Sequence, residues 1–361
     1  MILPQTMKAI RTHGPRDYRL EEVPVPSVGP NELLIEVEAN GICASDMKCY
    51  LGGELFWGPH GNDGFVDGVV TAGHEFGGRV VALGAGAGEH HGVAVGDRII
   101  AEQIVPCGEC RFCLRDEYWM CQRHWIFGFR KDVDGGMARY ARYPAQARIH
   151  RVPESLSVGA AAYIEPLACA WHAVDRGNIR EGDTVVICGV GNIGLCMAQI
   201  AGLQLNGTGQ VIALDARQYR LDLALENGAD IAIDVTKEDA VARVLSLTDG
   251  YGCDVYIEAS GNPAGVGQGL QMIRKLGTFV EFSVFNEPAT VNWTVIGDTK
   301  ELNVHGSHLG PNCYPKSIAA LADGRIDVSE LVAESFPLDQ FEEAMAASLS
   351  GGVMKNLVRP I

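Results

Sequence analysis

The 361-residue chain lacks the features that would take it to a membrane or a nucleic acid. It opens on Met1-Ile2-Leu3-Pro4-Gln5-Thr6, without the basic start, apolar run and cleavage site of a secretion leader. Its most apolar stretch, 185–201, is broken by three glycines and an asparagine and does not make a membrane span. Positive charge is scarce. With 29 Lys and Arg against 45 Asp and Glu, the formal charge of −16 repels phosphate backbones and anionic lipid. There is no internal repeat and no low-complexity tract. These absences predict a soluble, cytoplasmic protein with no nucleic-acid and no membrane partner, and leave small-molecule and metal ligands open.

What is present is glycine, cysteine and a generous apolar fraction. The length suits two domains better than one, and 47% apolar residues can bury a substantial core. Eleven cysteines, an odd number at close spacing and without a secretion signal, point to metal ligands rather than a disulfide framework. The first 150 residues carry short β-type runs, at 33–39, 78–83 and 97–101, separated by turn residues. From about residue 160 the texture changes to apolar strands alternating with helix-length segments. Strands are predicted at 184–188, 210–214, 231–234, 255–258 and 278–282, with helices at 191–203, 219–227, 239–248 and 264–275. That alternation predicts an α/β fold, a parallel sheet covered by helices. The last sixty residues mix both signals, with helical patterns at 317–322 and 338–349.

The strand Val185-Val186-Ile187-Cys188 runs into Gly189-Val190-Gly191-Asn192-Ile193-Gly194 and then a helical segment. The three glycines serve a tight turn, the backbone's approach to a pyrophosphate and close packing of helix on strand. The helix N-terminus offers free N–H groups to phosphates. A second strand ends at Asp215, 21 residues past Gly194, where a carboxylate accepts ribose hydrogen bonds and repels a 2′-phosphate. NAD is therefore favoured over NADP, although Arg217 and Arg220 stand close enough to soften the preference.

Cys107-x2-Cys110-x2-Cys113-x7-Cys121 places four thiols within fifteen residues, enough to close a tetrahedral structural Zn²⁺ site. A redox pair needs only two of them, an iron–sulfur cluster ranks below zinc, and a nucleic-acid-binding zinc module conflicts with the acidic balance. A second set is dispersed: Cys43 in Gly41-Ile42-Cys43-Ala44-Ser45-Asp46, His74 and Glu75 in Gly73-His74-Glu75-Phe76-Gly77-Gly78, and Glu165 before Pro166. These residue types suit a catalytic zinc, which keeps one exchangeable position.

In this order, the motifs resemble the zinc-containing medium-chain dehydrogenase/reductase family from Met7 to Val358. The resemblance implies a GroES-like β-rich catalytic domain (1–160, with the structural zinc lobe), a doubly wound Rossmann NAD-binding domain (161–300) and a C-terminal return to the catalytic domain (301–361). It implies a homodimer or homotetramer. It assigns the catalytic zinc to Cys43, His74 and either Glu75 or Glu165, and the structural zinc to Cys107, Cys110, Cys113 and Cys121. Ser45 would bond the substrate oxygen and pass on its proton, and Asp46 would support a ligand histidine. Gly189, Gly191, Ile193, Gly194, Asp215 and Arg220 match cofactor-contacting positions.

A glutamate at 165 points to the polyol and threonine branches. The segments 41–50, 56–58 and 101–107 resemble the members that act on erythritol and L-threitol. Sorbitol-type members carry a histidine near Lys48 and an arginine near 308–309, and their absence favours a shorter polyol. The implied reaction is reversible, NAD-linked oxidation of a small polyol to a ketose such as erythrulose. Tyr50, Phe56, Trp57 and His308 are candidates for the pocket wall, with ordinary core or interface packing as their alternative. L-threonine 3-dehydrogenase is the nearest rival, though no pair of residues stands out to bind an ammonium and a carboxylate. A non-catalytic zinc protein or metal-free quinone reductase of the same fold fits the motifs poorly.

Overall fold

The computed structural model describes residues 3–59 and 64–360. It divides into two compact units, Met1–Glu165 with Tyr314–Ile361, and Pro166–Cys313.

The first unit is β-rich, and its hub is the strand Leu33–Gly41. Nearly every position of this strand is buried, because both of its faces are covered. It pairs antiparallel with Glu75–Leu83, with Tyr140–Tyr143 and with the C-terminal strand Lys355–Arg359. Arg98–Ala101 and Ile149–Arg151 extend the sheet on one side, and Val332–Pro337 extends it on the other. Leu33, Ile35, Val37, Phe76, Val80, Ile99, Phe127 and Tyr143 form its core. The Tyr143 hydroxyl, fully buried, donates to the Phe76 carbonyl at 3.1 Å and so leaves no orphan polar group. Strands from residues 33–151 and from the C-terminal segment 332–359 thus build one sheet, and residues 33–41, 75–83 and 355–359 become neighbours.

The second unit is a six-stranded, all-parallel sheet. Its order is Ile231–Asp234, Gln210–Asp215, Thr184–Cys188, Cys253–Glu258, Ile273–Glu281 and Asn303–Gly306. This is the doubly wound order, with the first strand central and the chain winding outwards on both sides. All five residues of Thr184–Cys188 are buried, as a sheet covered on both faces requires. The helices are closed by local chemistry: Asp239 accepts from the Ala242 N–H at 3.1 Å, and Asn262, followed by Pro263 at the first helical position, accepts from Ala264 at 3.0 Å.

Two boundaries differ from those read in the sequence. Residues 303–306 do not return to the first unit; they add a sixth strand to the parallel sheet by pairing with Ile273–Glu281. The helix Pro263–Met272 runs directly into that strand, because Ile273 already pairs with Cys253. Within the stretch 58–71, residues 60–63 lie outside the described residues.

Candidate functional site

Cys43 ends the hub strand's run and serves as N-cap of the helix Ala44–Tyr50. The Asp46 carboxylate accepts from the Cys43 N–H at 2.9 Å, a capping interaction that fixes where the thiol points. His74 and Glu75 lie where the neighbouring strand begins. Gly73 takes φ +93° there, and a Cβ on it would stand 2.3 Å from Asn40 Oδ1, so only glycine turns the chain at this point.

Ligand atoms of Cys43, His74 and Glu75 all lie within 4.8 Å of one another. His74 presents Nδ1 to Asp46 Oδ1 at 3.4 Å and Nε2 to Ser45 Oγ at 3.3 Å. A carboxylate on the Nδ1 side selects the tautomer that leaves Nε2 as the ligand. Burial disfavours a charged imidazole, but Asp46 and Cys43 reverse this and hold the His74 pKa well above its ordinary value. Oε1 of Glu75 is buried without a hydrogen-bond partner, and its other oxygen pairs with Lys355. An orphaned carboxylate oxygen beside a thiol and an imidazole is the deficit that a cation relieves. The residues therefore fit zinc.

Glu165, the alternative ligand, sits in the first turn of Ile164–Gly177 and is not brought into that group among the described residues. It accepts a hydrogen bond from Nε2 of Gln103. Gln103 is itself held by Tyr314, whose hydroxyl donates to Oε1 at 2.8 Å and accepts from the Gln103 N–H at 3.2 Å. The three side chains form a buried chain.

The four-cysteine lobe is assembled as its spacing requires, with all four sulfurs within 4.8 Å of one another. The Cys110–Cys113 and Cys107–Cys113 sulfur separations are 3.5 and 3.8 Å. A zinc with bonds of about 2.3 Å spans a tetrahedron with edges of about 3.8 Å. Backbone N–H groups of Cys110, Cys107 and Gln122 point at the sulfurs of Cys107, Cys121 and Cys110 at 3.3–3.4 Å. Such donors stabilise thiolates: those of Gln122 and Cys113 bring Cys110 down to about 6, while burial pushes Cys113 up to about 12. All eleven cysteines are free of disulfides.

In the second unit the glycine run forms a tight turn and a close strand-to-helix contact. Gly189 takes φ +91°, and a Cβ on it would meet Ser260 Cα at 2.6 Å. A Cβ on Gly194 would lie 2.0 Å from the Gly189 carbonyl, so this glycine permits helix Asn192–Leu205 to pack on its strand. At Gly191 a Cβ would meet only the Arg220 guanidinium, at 3.5 Å; here the glycine keeps open a cradle at the helix N-terminus. Ile193 lies in that first turn, half-buried. Asp215 accepts from the Val190 N–H at 3.1 Å and the Arg217 N–H at 3.0 Å, with Arg220 Nη1 3.6 Å away. Its carboxylate thus ties the glycine loop to the second strand.

The aromatic candidates are drawn elsewhere. Tyr50 is buried edge-on against Tyr18 and Phe341, and its hydroxyl donates to Glu342 at 2.8 Å. It staples helix Ala44–Tyr50 to helix Phe341–Ser350. Phe56 is buried against Phe129, with ring centroids 5.4 Å apart, and Phe129 in turn lies 5.2 Å from the His74 ring. Among the described residues, Phe129 is the aromatic packed against the His74 ring. Trp57 donates its indole N–H to the Cys49 carbonyl at 2.7 Å. His308 belongs to the other unit, just past the strand Asn303–Gly306. Sequence reading missed Phe129 and Lys355. For Lys355 the signal is a lysine just ahead of the apolar Leu357-Val358, in a strand whose first four residues are buried.

A three-residue metal set, a closed four-thiol lobe and a dinucleotide fingerprint are together what a zinc- and nicotinamide-dependent dehydrogenase requires. Residues 29–154 match the alcohol dehydrogenase GroES-like domain, and residues 192–323 match the zinc-binding dehydrogenases. The chain is 48% identical to an erythritol/L-threitol dehydrogenase of Mycolicibacterium smegmatis over 97% of its own length and 96% of that protein's. It is 34% identical to a sorbitol dehydrogenase of Halalkalibacterium halodurans, covering 98% and 100% of the two chains. A solved structure from Sinorhizobium meliloti, assigned to the zinc-binding dehydrogenases and bound to NADP, superposes with a TM-score of 0.88 at 31% identity, covering 99% and 100% of the two chains. The chain belongs to the zinc-binding alcohol dehydrogenase family.

Proposed function

We propose that this chain catalyses the reversible, NAD-linked oxidation of a four-carbon polyol of the erythritol/L-threitol type to the corresponding ketose, erythrulose. The observation that carries the substrate class is the 48% identity, over nearly the whole of both chains, to a dehydrogenase of that specificity.

Cys43, His74 and Glu75 hold the catalytic zinc in this reading, and Cys107, Cys110, Cys113 and Cys121 hold the structural one. When bound, the catalytic zinc supplies a Lewis acid that favours the alkoxide form of the substrate hydroxyl. Ser45 Oγ, 3.3 Å from His74 Nε2, accepts the proton that the hydroxyl gives up while passing its own hydroxyl proton on towards solvent. Asp46 keeps the His74 ring in register. The N–H groups of the first turn of Asn192–Leu205 receive the pyrophosphate, and Asp215 receives the adenosine ribose. A nicotinamide cofactor bound there would supply the acceptor for the hydride of the substrate carbon, and the protein's own part is alignment of the two.

We place the enzyme in the cytoplasm as a homodimer or homotetramer. Among the described residues no helix is long and apolar enough to cross a membrane. The test is cofactor reduction by the purified protein with erythritol, L-threitol, D-threitol, sorbitol, L-threonine and ethanol, each with NAD and with NADP. Preference for a four-carbon polyol with NAD, lost on chelation, is the expected result. Preference for threonine or sorbitol would reject the substrate class and leave the dehydrogenase itself intact.

A further inference from the structure

Lys355 is the one lysine in the buried polar set of the described residues, with its side chain 1% exposed and its Nζ on Oε2 of Glu75. It comes from the C-terminal strand, 280 residues along the chain from Glu75, and reaches the metal set because that strand pairs with the hub strand at Gly41 and Asn40. Gly41 opens the passage: a Cβ there would stand 2.2 Å from Glu75 Oε2 and 3.3 Å from Cδ of Lys355. The charged groups facing the ammonium are Glu75, Cys43 and Glu165, and the Tyr163 ring lies 5.8 Å away.

A thiolate and a carboxylate together cancel the two positive charges of zinc, leaving a formally neutral centre. A buried cation beside that centre restores a net positive charge, and in a dry environment its effect is strong. It also occupies Oε2 of Glu75 and leaves Oε1, buried and without a hydrogen-bond partner, as the carboxylate's free oxygen. We propose that Lys355 is a positioning residue of the catalytic centre: it holds Glu75 by one oxygen, keeps that carboxylate a single-oxygen ligand and supplies the positive charge that makes the centre acidic enough to ionise a polyol hydroxyl. This rests on the assignment of Cys43, His74 and Glu75 as the catalytic zinc site.

The charge role and a merely structural role predict opposite effects on the metal. If Lys355 only braces the strand, removing it loosens the zinc. If it opposes the zinc's charge, removing it tightens the zinc while weakening catalysis. The experiment compares the wild-type enzyme with Lys355→Gln and Lys355→Arg, all purified in the zinc form. It reads zinc release to a chelator, with Cys43→Ala identifying which of the two zincs is lost, and the pH dependence of kcat/KM for polyol oxidation. In Lys355→Gln the catalytic zinc is expected to leave about tenfold more slowly. Its kcat is expected to fall about 10- to 100-fold with little change in KM, and the pH profile to move to more alkaline values. Lys355→Arg, which keeps the charge, restores the wild-type profile. Glu75→Gln, which keeps Lys355 and removes the negative charge, moves the profile the opposite way and tests the same idea if Lys355→Gln does not fold. Zinc held no more tightly in Lys355→Gln, or a profile that does not move in whichever variant folds, overturns the proposal. A wild-type protein with one zinc per chain, on the four cysteines, would instead remove the assignment on which the proposal rests.

Discussion

Gly41 and Glu75 are cross-strand partners, and a methyl group on Gly41 would lie 2.2 Å from the Glu75 carboxylate. The glycine two residues before Cys43 therefore makes room for the Glu75 carboxylate on the adjacent strand. Gly41→Ala should displace Glu75 and reduce the zinc content from two per chain towards one. Turnover should fall about 10- to 100-fold, the range for a disturbed ligand support. Cys43→Ala and His74→Ala should abolish turnover with an unchanged circular dichroism spectrum. Metal analysis and steady-state kinetics on the three variants check this; full activity in either ligand variant would reject the assignment.

The four-cysteine lobe predicts a stability effect and a reactivity pattern. Cys110→Ser should lower the melting temperature by roughly 5–10 °C, as a loss of a few kcal/mol does in a chain of this kind. In zinc-stripped protein at pH 7, Cys110 is mostly thiolate, because its pKa lies at about 6, and Cys113, at about 12, is a thiol. Alkylation followed by mass spectrometry should therefore label Cys110 before Cys113. Labelling of Cys110 should slow as the pH falls through 6, and bound zinc should protect both sulfurs.

Asp215 accepts from the Val190 N–H in the glycine loop while facing Arg217 and Arg220. Asp215→Ala removes both the ribose acceptor and the charge that repels a 2′-phosphate. The KM for NAD should rise about tenfold, equivalent to about 1.4 kcal/mol, and the two arginines should then let NADP compete. Kinetics with both cofactors measure this; an unchanged NAD to NADP ratio would count against the role of Asp215.

Tyr50 separates a core role from a pocket role. Tyr50→Phe loses the hydrogen bond to Glu342, at a cost of about 1 kcal/mol in stability, and keeps the ring packed against Tyr18 and Phe341. The melting temperature should drop slightly with kcat/KM for the polyol unchanged. A selective rise in KM would return Tyr50 to the substrate pocket.

Much of the fold can be read from local pattern. Uninterrupted apolar runs such as Thr184–Cys188 announce a sheet buried on both faces, and Asn262-Pro263 announces a helix start. The strand Asn303–Gly306 escapes this reading because it lies at the sheet edge and is largely exposed, so its sequence carries no apolar alternation. For Tyr50 and Phe56 the sequence left two readings open, because an aromatic near a motif looks the same whether it lines a pocket or fills a core; both rings are buried against other aromatics.

The sequence by itself determined the donor chemistry. Four thiols at short spacing, a glycine run between strand and helix, and an acid at the end of the next strand have few other uses, because each function is satisfied within one stretch of chain. Only the tertiary structure decided which glutamate joins Cys43 and His74, and that a lysine stands behind it. Residues 75, 165 and 355 are equally remote from Cys43 in any local sense. Their distances are set by strand pairing across Gly41, by Gln103 drawing Glu165 aside, and by a C-terminal strand returning to the hub of the sheet.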